Sequence, residues 1–334
     1  MNTHANISRR DFLRGFGALL GAAPFCAASS DAAASVPPSP LRFDEHLAVL
    51  LSDLHVNGLD THEGSKVKPD MRNWLKANVA EILRMDPLPR HVFVLGDIAY
   101  LQGRLADYQQ SCPDLKLLVD AGINLVLTMG NHDHRKAFLE VWPEYAERTL
   151  VPDSIHTVTH CADYDVVMLD SLNEKDAPNA WNPVNGALSK AAQEWVLEEL
   201  PKWPRPFFIC AHHAIWQLKF GDGKKTMEHI IGTFPNCRGY INGHDHLWKT
   251  NIANWKNPAT VPWLTLPSNG FWGDIGYVTL RTGQWRGRKG VQARLVQKDF
   301  VLNGGNPNPD PSYRPIMWET RMEDLKGAKC TFML

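Results

Sequence analysis

The sequence contains no Cys-x-x-Cys pair. Its six cysteines, at 26, 112, 161, 210, 237 and 330, follow no regular spacing. That excludes a zinc-thiolate module and a disulfide framework, and leaves mostly free or buried thiols, with one late disulfide still open in an exported chain. Charge of one sign is also missing. A formal net charge of -1 gives no electrostatic reason to expect nucleic acid or an anionic membrane surface as partner. No apolar run is long enough for a stable membrane anchor: residues 16–28 are mostly Gly, Ala, Leu and Phe, too short and too weakly hydrophobic to span. Past the N-terminal region there is no low-complexity segment and no short internal repeat, so a solenoid is excluded. What is present is length. The 334 residues suffice for one large core with extensions. Twelve tryptophans point to aromatic-walled loops or a heavily packed core, and composition does not choose between them.

The first 35 residues read as an address. Ser8-Arg9-Arg10-Asp11-Phe12-Leu13 precedes the mild apolar stretch, and small residues follow it. The order resembles a twin-arginine export signal, S-R-R-x-F-L, which implies a periplasmic or secreted protein. Phe25 stands before Cys26 where a lipidation site needs a small residue. Residues 36–44, which include Val36-Pro37-Pro38-Ser39-Pro40, read as a linker. The main folded domain is expected over 45–302 and a C-terminal extension over 303–334, in which no element is placed.

One pattern recurs five times: an apolar, strand-like run ends in polar, metal-capable residues. Residues 47–51 lead into Ser52-Asp53-Leu54-His55, and 91–95 into Gly96-Asp97. The run at 123–129 leads into Gly130-Asn131-His132-Asp133, that at 206–210 into Ala211-His212-His213, and that at 239–242 into Gly243-His244-Asp245-His246. Continuous apolar runs suit strands buried on both faces. Helical patterns lie at 73–85, where Trp74, Leu75, Val79, Ile82 and Leu83 recur at helical spacing, and at 105–121 and 188–200. Strands alternating with helices give an α/β fold, in which ligands gather at the carboxyl ends of strands. Further strands are expected at 164–169, 261–266, 277–281 and 293–301, the last two antiparallel and edge-like.

The residue types at these ends suit a pair of metal ions. In an extended segment side chains i and i+2 point the same way, so Asp53 and His55 can reach one ion. His244 and His246 can each serve one of two neighbouring ions, and Asp97 can bridge them. Asn131 offers a neutral oxygen and His212 another imidazole. A mixed oxygen and nitrogen set without thiolate suits Fe, Mn or Zn.

Together these motifs, Asp53-x-His55, Gly96-Asp97, Gly130-Asn131-His132-Asp133, His212 and Gly243-His244-x-His246, resemble the calcineurin-like metallophosphoesterase superfamily over roughly residues 45–280. The resemblance implies a two-sheet β sandwich flanked by helices and a binuclear centre of two divalent or mixed-valence ions. It assigns Asp53, His55 and His246 to the first ion, Asn131, His212 and His244 to the second, and Asp97 to both. His212 is preferred to His213 because Ile209-x-x-His212 matches the family's Val-x-x-His. The run from Gly130 through His134, Arg135 and Phe138 resembles the bacterial phosphodiesterase branch. The implied reaction is hydrolysis of a small-molecule phosphoester, a phosphodiester by preference, by metal-activated water. His132 assists the leaving oxygen, and Asp133 braces the turn. Gly96-Asp97-Ile98-Ala99-Tyr100 also matches a motif of purple acid phosphatases, whose Tyr is a ligand; with His55 present, Tyr100 reads as a packing residue. The alternatives are a monoesterase of that kind and a non-catalytic scaffold on the same fold. Substrate choice is expected from the loop at 56–70; Trp216, Trp248 and Trp272 can wall a pocket, with core or loop packing the first reading of each taken singly, and Arg135 is a candidate for a substrate phosphate or for a surface ion pair.

Overall fold

The computed structural model describes residues 41–58, 71–174, 182–221, 223–252, 261–270, 273–285, 287–298 and 325–334. The expected signal, most of the linker, residues 59–70 of the first loop, Phe271, Trp272 and most of the tail lie outside the described residues. Residues Phe43–Leu334 make up one unit.

Its first half runs β1 (Phe43–Leu51), α1 (Met71–Ile82), β2 (Leu88–Leu95), α2 (Leu105–Asp120), β3 (Asn124–Thr128) and α3 (Arg135–Val141). There follow β4 (Thr157–His160), β5 (Asp165–Leu169), α4 (Lys190–Glu199), β6 (Phe207–Ala211), β7 (Lys219–Phe220), β8 (Lys225–Thr226) and β9 (Cys237–Asn242). The last elements are β10 (Lys249–Thr250), β11 (Trp263–Thr265), β12 (Gly276–Trp285), β13 (Arg288–Gln297) and β14 (Lys329–Met333). Among the described residues two sheets have six strands each, in the orders β14-β13-β12-β1-β2-β3 and β10-β11-β9-β6-β5-β4. In the first, β1, β2 and β3 are parallel and β12, β13 and β14 add antiparallel strands. In the second, β5, β6, β9 and β11 are parallel, with β4 and β10 antiparallel at the two edges.

Period-two alternation on these strands builds two cores at once. Val166 and Met168 of β5, with Phe208 and Cys210 of β6, face the layer between the sheets, where they meet Leu50, Phe93, Leu95 and Val126 of the first sheet. Their neighbours Val167, Leu169, Phe207, Ile209 and Ala211 turn the other way and pack against Ala192 and Val196 of α4. This is why the runs read as continuously apolar: each strand is covered on both faces, and each side chain so buried contributes about 1.5–3 kcal/mol. The helix pattern at 188–200 starts at a proper cap, Ser189 Oγ accepting from Ala192 N–H at 3.1 Å.

Two expectations about edges are corrected. The strands expected at 277–281 and 293–301 are antiparallel but are not edges. β12 lies between β1 and β13, and β13 is covered in turn by β14. The covering strand comes from the tail, where the sequence placed nothing. It is anchored by Phe332, buried against Phe208 at 5.1 Å between ring centroids. The five described cysteines are unbridged. No helix among the described residues is long and apolar enough to cross a membrane.

Candidate metal centre

Beyond the last strand hydrogen bonds the backbone keeps pairing while it changes hand. Asp53 N–H donates to Gly96 O at 3.1 Å, His55 N–H to Asp97 O at 2.9 Å and Gly243 N–H to His212 O at 3.1 Å. Within these rungs Asp53 (φ 54°), His55 (45°), Asp97 (49°), His244 (69°) and His246 (54°) are all left-handed. Asp53 and His55 therefore converge through two left-handed kinks after β1 ends, and not by the extended i, i+2 geometry expected of them. Such backbone is costly for side chains with a Cβ and persists where the surroundings over-determine it. Glycines serve here by close approach. A Cβ on Gly130 would stand 2.2 Å from Asp97 Oδ1, and one on Gly243 would stand 1.9 Å from Ser52 Oγ. What needs Gly130 is the carboxylate seated against it.

The seven candidate ligands come together as two adjoining groups. In one, His246 Nε2 lies 2.9 Å from Asp53 Oδ1 and 3.2 Å from His55 Nε2. In the other, His212 Nε2 lies 3.2 Å from each of Asn131 Oδ1, His244 Nδ1 and Asp97 Oδ2. Asp97 Oδ2 is also 3.6 Å from His55 Nε2, so one carboxylate oxygen faces both groups. The rings are held from outside. His55 Nδ1 lies 2.9 Å from Tyr100 O and His212 Nδ1 lies 2.8 Å from Leu95 O. A proton on each Nδ1 donates to its carbonyl and leaves a lone pair on Nε2 facing inward, the arrangement a metal-bound histidine adopts. Nitrogen and oxygen lone pairs are thus packed against one another at little over 3 Å, which a cation between them relieves.

Electrostatics agree with that chemistry. Burial lowers His55 to about 3 and His244 to about 4, so both rings are neutral. Burial would raise the Asp53 and Asp97 carboxyls, but the facing imidazoles override it and both lie below the ordinary range. Burial pulls His212 down while Asp97 outweighs it, and the ring rises to about 9. Two buried carboxylates demand positive charge, and in the protein alone a proton on His212 answers it. Ionised carboxylates and the neutral His55 and His244 are what a divalent ion requires of its ligands, and a bound ion would replace the proton on His212.

His132 stands beside the groups. Its N–H donates to Asp97 Oδ1 at 2.8 Å, its Nδ1 lies 2.8 Å from Leu101 O, and its ring meets His55 edge-on at 5.2 Å. Asp133 is fully buried. Its carboxylate accepts from Ala99 N–H at 3.0 Å, Gly130 N–H at 2.8 Å and Tyr108 O–H at 3.0 Å, tying the turn to β2 and α2. Burial, with the nearby Asp97 charge, raises it to about 6.

The family model of the calcineurin-like phosphoesterases matches residues 48–247, more than half of the chain and every residue of this cluster. The chain belongs to the calcineurin-like phosphoesterase family. It is accordingly a metal-dependent hydrolase of phosphoesters. The chain is 27% identical over 300 residues to a probable cyclic nucleotide phosphodiesterase of Rhodopseudomonas palustris, covering 85% of this chain and 92% of that protein. A probable cyclic nucleotide phosphodiesterase of Psychrobacter arcticus is 26% identical over 163 residues, 43% of this chain and 55% of that one. Among solved structures, TT1561 of Thermus thermophilus is similar at 13% identity and a TM-score of 0.45, covering 71% of this chain and 94% of that one.

Around the centre of this phosphoesterase the structure decides between the readings left open for the surrounding residues. Trp248 does not wall a pocket: it is 6% exposed and packs into the core between the sheets. Trp216 is 42% exposed and meets Trp263 edge-on at 5.4 Å. Arg135 is spent on protein contacts, its guanidinium gripping Asp170 through two nitrogens and also bonding Glu174 and Leu172 O. Tyr100 reaches the site through its carbonyl, while its ring packs edge-on against His55 at 6.5 Å. Four participants carried no usable sequence signal. The carbonyls of Leu95 and Leu101 belong to apolar side chains. Ser52, whose Oγ donates to Asp53 Oδ2 at 2.5 Å, is a common residue at a strand end. Tyr108 lies on α2, and only the tertiary fold brings its hydroxyl to the turn at Gly130.

Proposed function

We propose that this phosphoesterase hydrolyses phosphodiesters with two divalent metal ions, cyclic nucleotides being the substrate class to examine first. The observation that carries the two-ion reading is Asp97 Oδ2, set 3.2 Å from His212 Nε2 and 3.6 Å from His55 Nε2. Asp53, His55 and His246 would hold the first ion, Asn131, His212 and His244 the second, and Asp97 both. Such ions supply Lewis acidity, neutralising phosphoryl charge and acidifying water. The chain's own groups do the rest. Leu95 O and Tyr100 O fix which nitrogen each imidazole presents. Asp133, held by backbone N–H groups, fixes the turn that carries Asn131 and His132. His132, its Nδ1 proton directed to Leu101 O, leaves Nε2 to the site, and a second ring proton carried there would pass from Nε2 to the leaving oxygen, returning the ring to its neutral form. The names of the relatives favour a diester. The purple-acid-phosphatase reading has less support, because His55 fills the place beside Asp53 and Tyr100 enters by its carbonyl.

The test is metal analysis of the purified protein with turnover of bis-p-nitrophenyl phosphate and p-nitrophenyl phosphate. Two ions per chain and faster diester cleavage are expected. Absence of turnover after reconstitution with Mn, Fe or Zn overturns the reading in favour of a scaffold. We also propose export by the twin-arginine route: Arg9→Lys with Arg10→Lys is expected to retain the chain inside the cell on fractionation, and unchanged export would sink that idea.

A further inference from the structure

We propose that His213 is a further metal-ligating residue, its Nε2 joining His212 and His244 in a three-imidazole pocket for a divalent transition-metal ion. The proposal rests on the two-ion reading above and adds a ligand to its second ion. A ring nitrogen of each of His212, His213 and His244 lies within 4.8 Å of those of the other two. The His213 ring sits 5.0 Å from both neighbouring rings, centroid to centroid. It is fully buried, and its Nε2 has no hydrogen-bond partner among the described residues. A buried polar atom left unmatched is costly, and here it stands beside the cluster with its lone pair to offer.

The other ring nitrogen is already engaged. Nδ1 and Ser171 Oγ share a hydrogen bond of 2.7 Å, and His213 N–H donates to the same Oγ at 3.4 Å. With Nδ1–H donating to Ser171, the free lone pair is on Nε2. This is the arrangement of His55 on Tyr100 O and of His212 on Leu95 O. The ring has little freedom to turn elsewhere. Tyr240 O–H holds the His213 carbonyl at 2.7 Å, and a Cβ on Gly186 would stand 2.5 Å from the ring, so that wall is backbone. Three imidazoles on one side make the second pole rich in nitrogen, which selects borderline ions such as Zn, Fe(II) or Co(II) over Mg or Ca.

Asparagine reproduces the Nδ1 position of histidine and deletes Nε2, so His213→Asn keeps a bond to Ser171 and removes only the proposed ligand. The full chain, freed of metal by chelation, would be titrated with Co2+ by calorimetry and visible absorption, alongside Ser171→Ala and Asp97→Asn. His213→Asn is expected to weaken one ion by roughly 10- to 100-fold and to alter its cobalt bands while the other ion binds as before; Ser171→Ala should shift the same ion less. Wild-type affinity and spectrum in a folded His213→Asn protein overturn the proposal, as does equal loss of both ions, which would report general collapse. If His213→Asn does not fold, Ser171→Ala decides, and unchanged binding there overturns it. Asp97→Asn separates the two levels. If it too binds Co2+ like wild type, the metal-centre reading has failed; if it alone loses metal, only the role of His213 has.

Discussion

Left-handed backbone at Asp53, His55, Asp97, His244 and His246 costs about 1–3 kcal/mol per residue. No element needs these conformations; each serves to aim a side chain at a common point. Roles within the cluster separate by contact. Asp97 faces both imidazole groups, whereas His132 meets the cluster through its N–H and its ring edge. Asp97→Ala is therefore expected to lose bound metal on elemental analysis. His132→Ala is expected to keep it and to lose about 10²- to 10⁴-fold in kcat on a poorly activated diester. Full kcat in the second variant would remove His132 from the chemistry. Titration gives a prediction away from the ligands. His156 is buried and lowered to about 4 by that burial, its Nδ1 accepting from Asp170 N–H at 3.0 Å. The folded chain binds this proton less readily than the unfolded chain, whose histidine titrates near 6.5. The stability associated with the neutral ring is complete above about 6.5 and is lost as pH falls toward 4, by about 3 kcal/mol in all. His156→Asn, which keeps an acceptor for Asp170, should flatten that part of the Tm profile between pH 7 and 5. An unchanged slope would assign the acid sensitivity to other groups.

At the scale of elements, the strand ends do the positioning and the helices hold them there. Tyr108 on α2 donates to Asp133 at 3.0 Å and accepts from His134 N–H at 2.8 Å, so one phenol pins the turn that carries Asn131 and His132. Arg135 at the start of α3 grips Asp170 past the end of β5 and so links the two sheets near the site. The far edge of the first sheet depends on β14. Phe332 lies against Phe208, and Gly239 makes room for it, since a Cβ there would come within 2.6 Å of the ring. Phe332→Ala should lower stability by about 3–5 kcal/mol, read as a lower denaturant midpoint, with metal content unchanged. A variant as stable as wild type would mean that β14 adds little to the sheet.

For the whole molecule, the centre is where the two sheets meet. His212 follows a strand of the second sheet and bonds to Leu95 O of the first, and His244 N–H contacts the Asp53 carboxylate across the same seam. Ions bound there stabilise the folded chain by mass action, each by about 2.7 kcal/mol when held at a hundred times its Kd. Chelation should therefore lower Tm and abolish turnover together, and added Zn or Mn should restore both; a Tm indifferent to chelator would mean the seam closes without ions. The sequence by itself determined β1, β2, β3, β5, β6 and β9, because apolar runs covered on both faces leave an unbroken pattern. It also determined the cluster's membership, because Asp53, His55, Asp97, Asn131, His212, His244 and His246 each close such a run. Patterns of that kind carry no sign of which face a tryptophan takes, of a carbonyl's direction, or of where the chain returns. Tertiary structure alone decided that Trp248 is core, that Arg135 is spent on Asp170 and Glu174, that the tail's β14 covers β13, and that His213 turns its ring toward the seam. Each of these depends on contacts between segments far apart in the chain, where local periodicity has no reach.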